Sequence, residues 1–225
     1  MDTSYLFELI VYVLALCVGL VVHESCHALA AYALGDSTAR ARGRVSLNPL
    51  KHIDPFGTII LPLICVAAGG PVFAYAKPVP VYVNNLKHPK RDQVLVALAG
   101  PASNLVLAFI GALVLRLGLP ALITYNVDWA YALLNGCLYF MSVNLSLCFF
   151  NLIPIPPLDG SSVLVALLRG KARDFYYKYQ RYAMLVLIVI LYVLPGIFGI
   201  DLVGMYFDVT LYPVLDALLS FALSW

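Results

Sequence analysis

Apolar residues run almost unbroken from about residue 4 to residue 34 and stop at Gly35 and Asp36. Such a stretch exceeds the ~20 residues a helix needs to cross the hydrocarbon core of a bilayer, although a polar interruption marks its second half. From residue 37 to residue 50 the pattern changes. Arg40, Arg42 and Arg44 alternate with Ala39, Ala41, Gly43 and Val45, a period of two that predicts a short strand near residues 38–48. Asp54 before Pro55 reads as a helix N-cap with proline at the first helical position, opening an apolar run over residues 56–76. Pro62, Gly69, Gly70 and Pro71 interrupt that run, which is therefore a broken crossing or a re-entrant segment. Basic residues on both sides, Arg40 to Lys51 and Lys77 to Arg91, favour re-entry.

Further helices are predicted over about residues 92–117 and 129–152, the second breaking in the run NLIPIPPLDG at residues 151–160. A short apolar helix follows at 161–168. Arg169, Lys171, Arg173, Lys178 and Arg181 form a second basic cluster before spans at about 182–200 and 202–225. The expectation is an all-α polytopic membrane protein, with about five to six transmembrane or re-entrant helices and a short β segment dipping toward the active site. Basic clusters mark the cytoplasmic side, which implies a multi-pass protein of the cell membrane. No polar stretch is long enough for an appended soluble domain, so residues 1–225 read as one membrane-embedded unit.

Composition agrees: 62% of residues are hydrophobic and 12% charged, which excludes an ordinary water-soluble globule. A net charge of +2 gives no reason to expect a nucleic-acid partner. No Lys or Arg precedes Arg40, unlike a cleaved secretory signal, so the first helix is expected to be retained. The cysteines, Cys17, Cys26, Cys65, Cys137 and Cys148, lie in apolar surroundings without a CxxC pair and read as buried small hydrophobes.

The polar interruption in the first helix is His23-Glu24-Ser25-Cys26-His27, an HExxH pattern. Histidines at i and i+4 share one helical face about 6 Å apart along the axis, so both can reach one zinc ion. The glutamate beside them can take a proton from a water whose acidity the metal raises. Ionisable groups at membrane depth are costly and persist where they are partnered or functional; the bland alternative is two histidines packed between helices.

A catalytic zinc needs a third protein ligand and an open position. Glu8, the other glutamate of the chain, is about four turns away on the same helix. His52 and His88 lie in polar segments and read as exposed. Asp159 follows three prolines, precedes Gly160 and interrupts an apolar stretch; it reads as the ligand, or as an N-cap, two roles that different oxygens can share. Asp54 is the alternative, resembling a cap. His27 lies 13 residues before Arg40 and Asp159 lies 10 before Arg169, so both fall about 15–20 Å from a basic boundary if helical.

With HExxH in a membrane helix and NxxPxPPLDG in a later one, the sequence resembles the site-2 protease family of intramembrane zinc metalloproteases. The stretches RVSLNPLKHIDPFGT (44–58), AKPVPVY (76–82) and LAGPASN (98–104) look like its compact bacterial members. The resemblance implies one zinc held by His23, His27 and Asp159, Glu24 as general base, and transmembrane proteins as substrates. It further suggests that Asn151 holds substrate or its oxyanion; read from the residues, Asn151 could equally satisfy backbone groups freed by the prolines. Asn104 reads as a helix-packing residue. The chain lacks the PDZ and CBS modules of larger members. A helical substrate must be unwound before attack, and the expected strand, through Gly43 and Val45, is the edge that could receive it. Rival readings are a zinc hydrolase acting on lipidated substrates and a non-catalytic zinc carrier.

Overall fold

At membrane depth a backbone has few partners but itself, and the apolar runs fold as helices. A computed structural model of the chain describes residues 3–60, 64, 76–124 and 129–224. Helix α1 spans Thr3–Ala33 and α2 is a single turn, Thr38–Ala41. Helix α3 spans Pro89–Thr124, α4 Trp129–Asn151 and α5 Asp159–Leu167. Helix α6 spans Lys171–Tyr179 and α7 Ala183–Ile188, which continues with wider turns over Val189–Phe198; α8 spans Leu202–Leu223. Among the described residues, five stretches are long and apolar enough to cross a membrane: Phe7–Ala33, Pro89–Thr124, Ala130–Asn151, Lys171–Phe198 and Leu202–Leu223. The protein is an all-α, multi-pass membrane protein. Most of the run at 56–76, and Cys65 with it, lies outside the described residues.

Helices α1, α3 and α4 form the centre. Gly19 and His27 of α1 lie beside Asn104 and Val96 of α3, so the two helices run antiparallel. A core of Ala108, Ala112 and Leu115 from α3, Met141 and Leu145 from α4, and Leu211 and Leu215 from α8 closes the far side. Small residues on α3 permit the close helix approach that membrane packing favours. Cys137 and Cys148 are buried as expected, Cys26 is half-buried, and Cys17 is exposed, on the outer surface of α1.

Two elements differ from the sequence expectation. Helix α3 begins at Pro89 because the His88 carbonyl accepts the Asp92 N–H while the Asp92 carboxylate accepts the His88 N–H, each at 2.8 Å; proline at the first position fits that start. Among the described residues there is no strand, and the one expected at 38–48 is replaced by α2 and a turn. Asp36 accepts from the Thr38 N–H at 3.0 Å and from its hydroxyl at 2.5 Å, which winds the chain into helix. Gly43, at φ +68°, then turns it out again. Local side-chain hydrogen bonding thus outweighs the period-two pattern.

The same carboxylate organises the loop beyond. Asp36 is fully buried and also accepts from the Tyr82 N–H at 2.7 Å and the Asn85 amide at 3.0 Å. Buried Arg44 donates to the carbonyls of Lys51 and Lys77, and the Lys77 N–H donates to the His52 carbonyl at 2.9 Å. Residues 77–82 are thereby held extended, as Pro78 and Pro80 require.

Removing the acceptor that these four donors share, as in Asp36→Ala, costs about 1–3 kcal/mol, read as a lower denaturation midpoint in detergent. Burial pushes the Asp36 carboxyl up, but the hydrogen bonds from Thr38, Tyr82 and Asn85 outweigh it and hold it at about 2. A carboxyl depressed by folding stabilises above its unfolded value, about 4, and loses that contribution as pH falls through its folded one. The midpoints of the wild type and of Asp36→Ala therefore converge as pH is lowered from about 4 toward 2.

Candidate metal centre

His23 and His27 leave α1 on one face, one turn apart, toward α3. Their Nε2 atoms are 3.0 Å apart, and Oδ2 of Asp159 lies 3.0 Å from the first and 3.2 Å from the second. Among the described residues, these three form the group of metal-binding side chains whose ligand atoms converge. Both imidazoles are buried, and the Asp159 side chain is 22% exposed.

Asp159 arrives there through the proline-broken loop after α4. It is the first residue of α5, with Leu158 at the N-cap, and its Oδ2 faces the imidazoles 136 and 132 residues away in sequence. Gly160 lets the loop close onto α5, since a Cβ there would run into the Leu152 carbonyl. Asp54 behaves as a cap, accepting from the N–H groups of Phe56 at 3.0 Å and Gly57 at 2.8 Å. His88 is exposed as expected. His52 is buried, contrary to expectation, because its Nε2 reaches the Ser46 carbonyl at 2.7 Å.

The chemistry of the donor set tests its fit to a metal. His23 Nδ1 lies 2.6 Å from Asn104 Oδ1, and His27 Nδ1 lies 2.7 Å from the Val96 carbonyl. A ring nitrogen facing a carbonyl-type oxygen carries the proton, which leaves lone pairs on both Nε2 atoms. Two lone pairs and a carboxylate oxygen then face one another, an arrangement that asks for a cation among them. The residues fit a zinc centre of two histidines and one carboxylate. Gly100 makes room, because a Cβ there would overlap Nε2 of both rings.

The three side chains open onto a cavity of about 520 Å³ that is also lined by Glu24, Asn151, Val79 and Val81. Asn151 donates its amide to the Leu147 carbonyl, one turn back, at 2.9 Å. Gly43 and Val45 are not among the lining residues; they sit in the turn after α2, with Val45 exposed. Val96, Gly100 and Asn104 escaped sequence reading as site residues, although their four-residue spacing on one apolar helix puts them on one face.

Membrane-length helices around an HExxH pair and a converging carboxylate define the architecture of a membrane-embedded metallopeptidase. The chain belongs to peptidase family M50, the site-2 protease family, whose model matches residues 11–128 and 116–194. It is similar to the protein named "Putative zinc metalloprotease YwhC" of Bacillus subtilis, 39% identical over 209 residues, covering 91% of this chain and 85% of that one. It is also similar to "Putative zinc metalloprotease Rip2" of Mycolicibacterium smegmatis, 32% identical over 210 residues, covering 91% and 76%. No solved structure matches the chain.

If Gly100 provides the space for the metal, Gly100→Ala lowers bound zinc from one per chain toward zero, measured by elemental analysis of protein purified in detergent. Ala at the neighbouring, outward position Leu98, which is 36% exposed, leaves zinc content unchanged.

Proposed function

We propose that the chain is an intramembrane zinc endopeptidase that hydrolyses peptide bonds within or near transmembrane segments of other membrane proteins. His23, His27 and Asp159 hold the zinc, and Glu24 is the catalytic base. The observation that carries this reading is the convergence of three acceptors on a cavity that Glu24 shares, inside a bundle of membrane-length helices. Membership of family M50 and the zinc-metalloprotease names of its relatives support it.

Bound between the three side chains, zinc supplies a Lewis acid that polarises the scissile carbonyl and acidifies water. The Glu24 carboxylate takes a proton from the attacking water and returns it to the leaving amine nitrogen. Asn151 lines the same cavity; its carboxamide, released from Leu147, holds the substrate or the oxyanion. The basic clusters that flank the helices carrying these residues support an active site toward the cytoplasmic side.

A transmembrane substrate must present an extended backbone at the metal. The cavity wall offers one in residues 77–82, where Lys77 and Tyr82 have spent their N–H groups on His52 and Asp36. Prolines occupy positions 78 and 80, so the N–H donors of that wall belong to Val79 and Val81. The turn that holds Gly43 and Val45 is the other candidate edge.

Two measurements test this function. Glu24→Gln lowers cleavage of a transmembrane-helix reporter by at least about 10²-fold while one zinc per chain is retained; substantial activity in that variant overturns the role of Glu24. Val79→Pro and Val45→Pro separate the two edges, since the first slows cleavage of the helical reporter by tenfold or more, as an order-of-magnitude expectation for a lost backbone pairing, and the second has less effect.

A further inference from the structure

Asn104 lies in the middle of α3 with no exposure, and so does Asn144 on α4. A buried carboxamide has three or four hydrogen-bonding positions to fill, and these two fill theirs mainly with each other and with the metal centre. Asn104 Nδ2 donates to the Gly19 carbonyl at 3.1 Å and to Asn144 Oδ1 at 3.0 Å. Asn144 Nδ2 donates to the Phe140 carbonyl at 2.9 Å. Both acceptors at the ends of this chain are backbone carbonyls, so neither amide can be turned round without setting donor against donor or oxygen against oxygen. With the orientation settled, Asn104 Oδ1 has one place to point, His23 Nδ1 at 2.6 Å.

The network is built into the packing of three helices. The Gly19 carbonyl belongs to the turn of α1 that precedes His23, so Asn104 grips that turn at the backbone and at the ring together. A Cβ on Gly19 would come to 3.0 Å from Asn144 Oδ1 and 2.7 Å from the Leu147 side chain, so the close approach of α4 to α1 needs a glycine there.

We propose that Asn104 is a positioning residue of the metal centre. Held in one orientation by Asn144 and Gly19, it fixes the proton of His23 on Nδ1 and the plane of the ring, and so presents the Nε2 lone pair to the metal. His27 receives the same service from a backbone carbonyl, Val96, whereas His23 depends on a side chain. The metal affinity of the site is therefore set in part from α4, a helix that contributes no ligand. The proposal rests on the metal reading of His23, His27 and Asp159, which zinc uptake by the unsubstituted chain tests separately.

The experiment measures zinc affinity of the full chain in detergent by competition with a chromophoric chelator, together with the ligand-field spectrum after cobalt substitution. Asn104→Leu, of similar size but without an acceptor, weakens zinc binding about 10- to 100-fold and alters the cobalt spectrum. Asn104→Asp keeps an acceptor toward His23 but sets its second oxygen against the Gly19 carbonyl and Asn144 Oδ1, so it recovers part of that loss and binds zinc more tightly than Asn104→Leu. A residue that only fills space gives the opposite ranking, with Leu tolerated and the buried Asp not. Wild-type affinity in Asn104→Leu, or equal weakness in both variants, overturns the proposal. Should Asn104→Leu fail to fold, Asn144→Leu decides, because it leaves the partner of His23 in place and only frees its amide to rotate. A loss of about three- to tenfold supports the proposal, and unchanged affinity overturns it.

Discussion

Polar atoms enclosed by apolar helices have no bulk water to fall back on, so every one of them must be answered by another part of the chain. That constraint shapes the site. Two imidazoles and a carboxylate meet at about 3 Å, and their remaining nitrogens are answered by α3, through a carbonyl at Val96 and a carboxamide at Asn104. Between those two positions the helix offers Gly100, where anything larger would occupy the space above the rings. One face of a single helix, read every four residues, thus supplies an acceptor, a gap and an acceptor.

The parts of this arrangement that were legible in the sequence are those whose chemistry is rare in their surroundings. His23 and His27 announced themselves by spacing inside an apolar helix, and Asp159 by standing alone among prolines and apolar residues. The helices were legible because apolar runs of membrane length leave the backbone few alternatives. The strand at 38–48 was misread because alternation describes side chains only. It is blind to a carboxylate two residues upstream that bonds the Thr38 N–H, and to a glycine in the left-handed region. His52 was misread for a related reason, since its polar neighbours turned out to be its partners rather than a sign of solvent. Asn104 reads in the sequence as a helix-packing residue, and its contacts needed the third dimension, because its partners lie 81, 85 and 40 residues away in sequence.

Family membership and geometry speak to different levels of the same protein. Similarity to M50 relatives extends over nine-tenths of the chain, which places the whole bundle, and not the HExxH helix alone, within the family. The geometry adds what the bundle brings together: α1 carries the two imidazoles, α5 the carboxylate, α3 the groups bonded to the imidazoles, and α4 the carboxamide bonded to Asn104. No pair of these helices could hold the set alone.

The extended stretch at 77–82 is fastened at both ends, to His52 and Arg44 at Lys77 and to Asp36 at Tyr82. A span with fixed endpoints behaves as a ruler. Its residues can change in kind, but their number is set by the gap between the fastenings, because one residue more would bow the wall into the cavity and one fewer would pull it off its anchors. Variation in this wall is thereby channelled into substitution and closed to insertion, even though the stretch is a loop, the part of a protein where length ordinarily varies most freely.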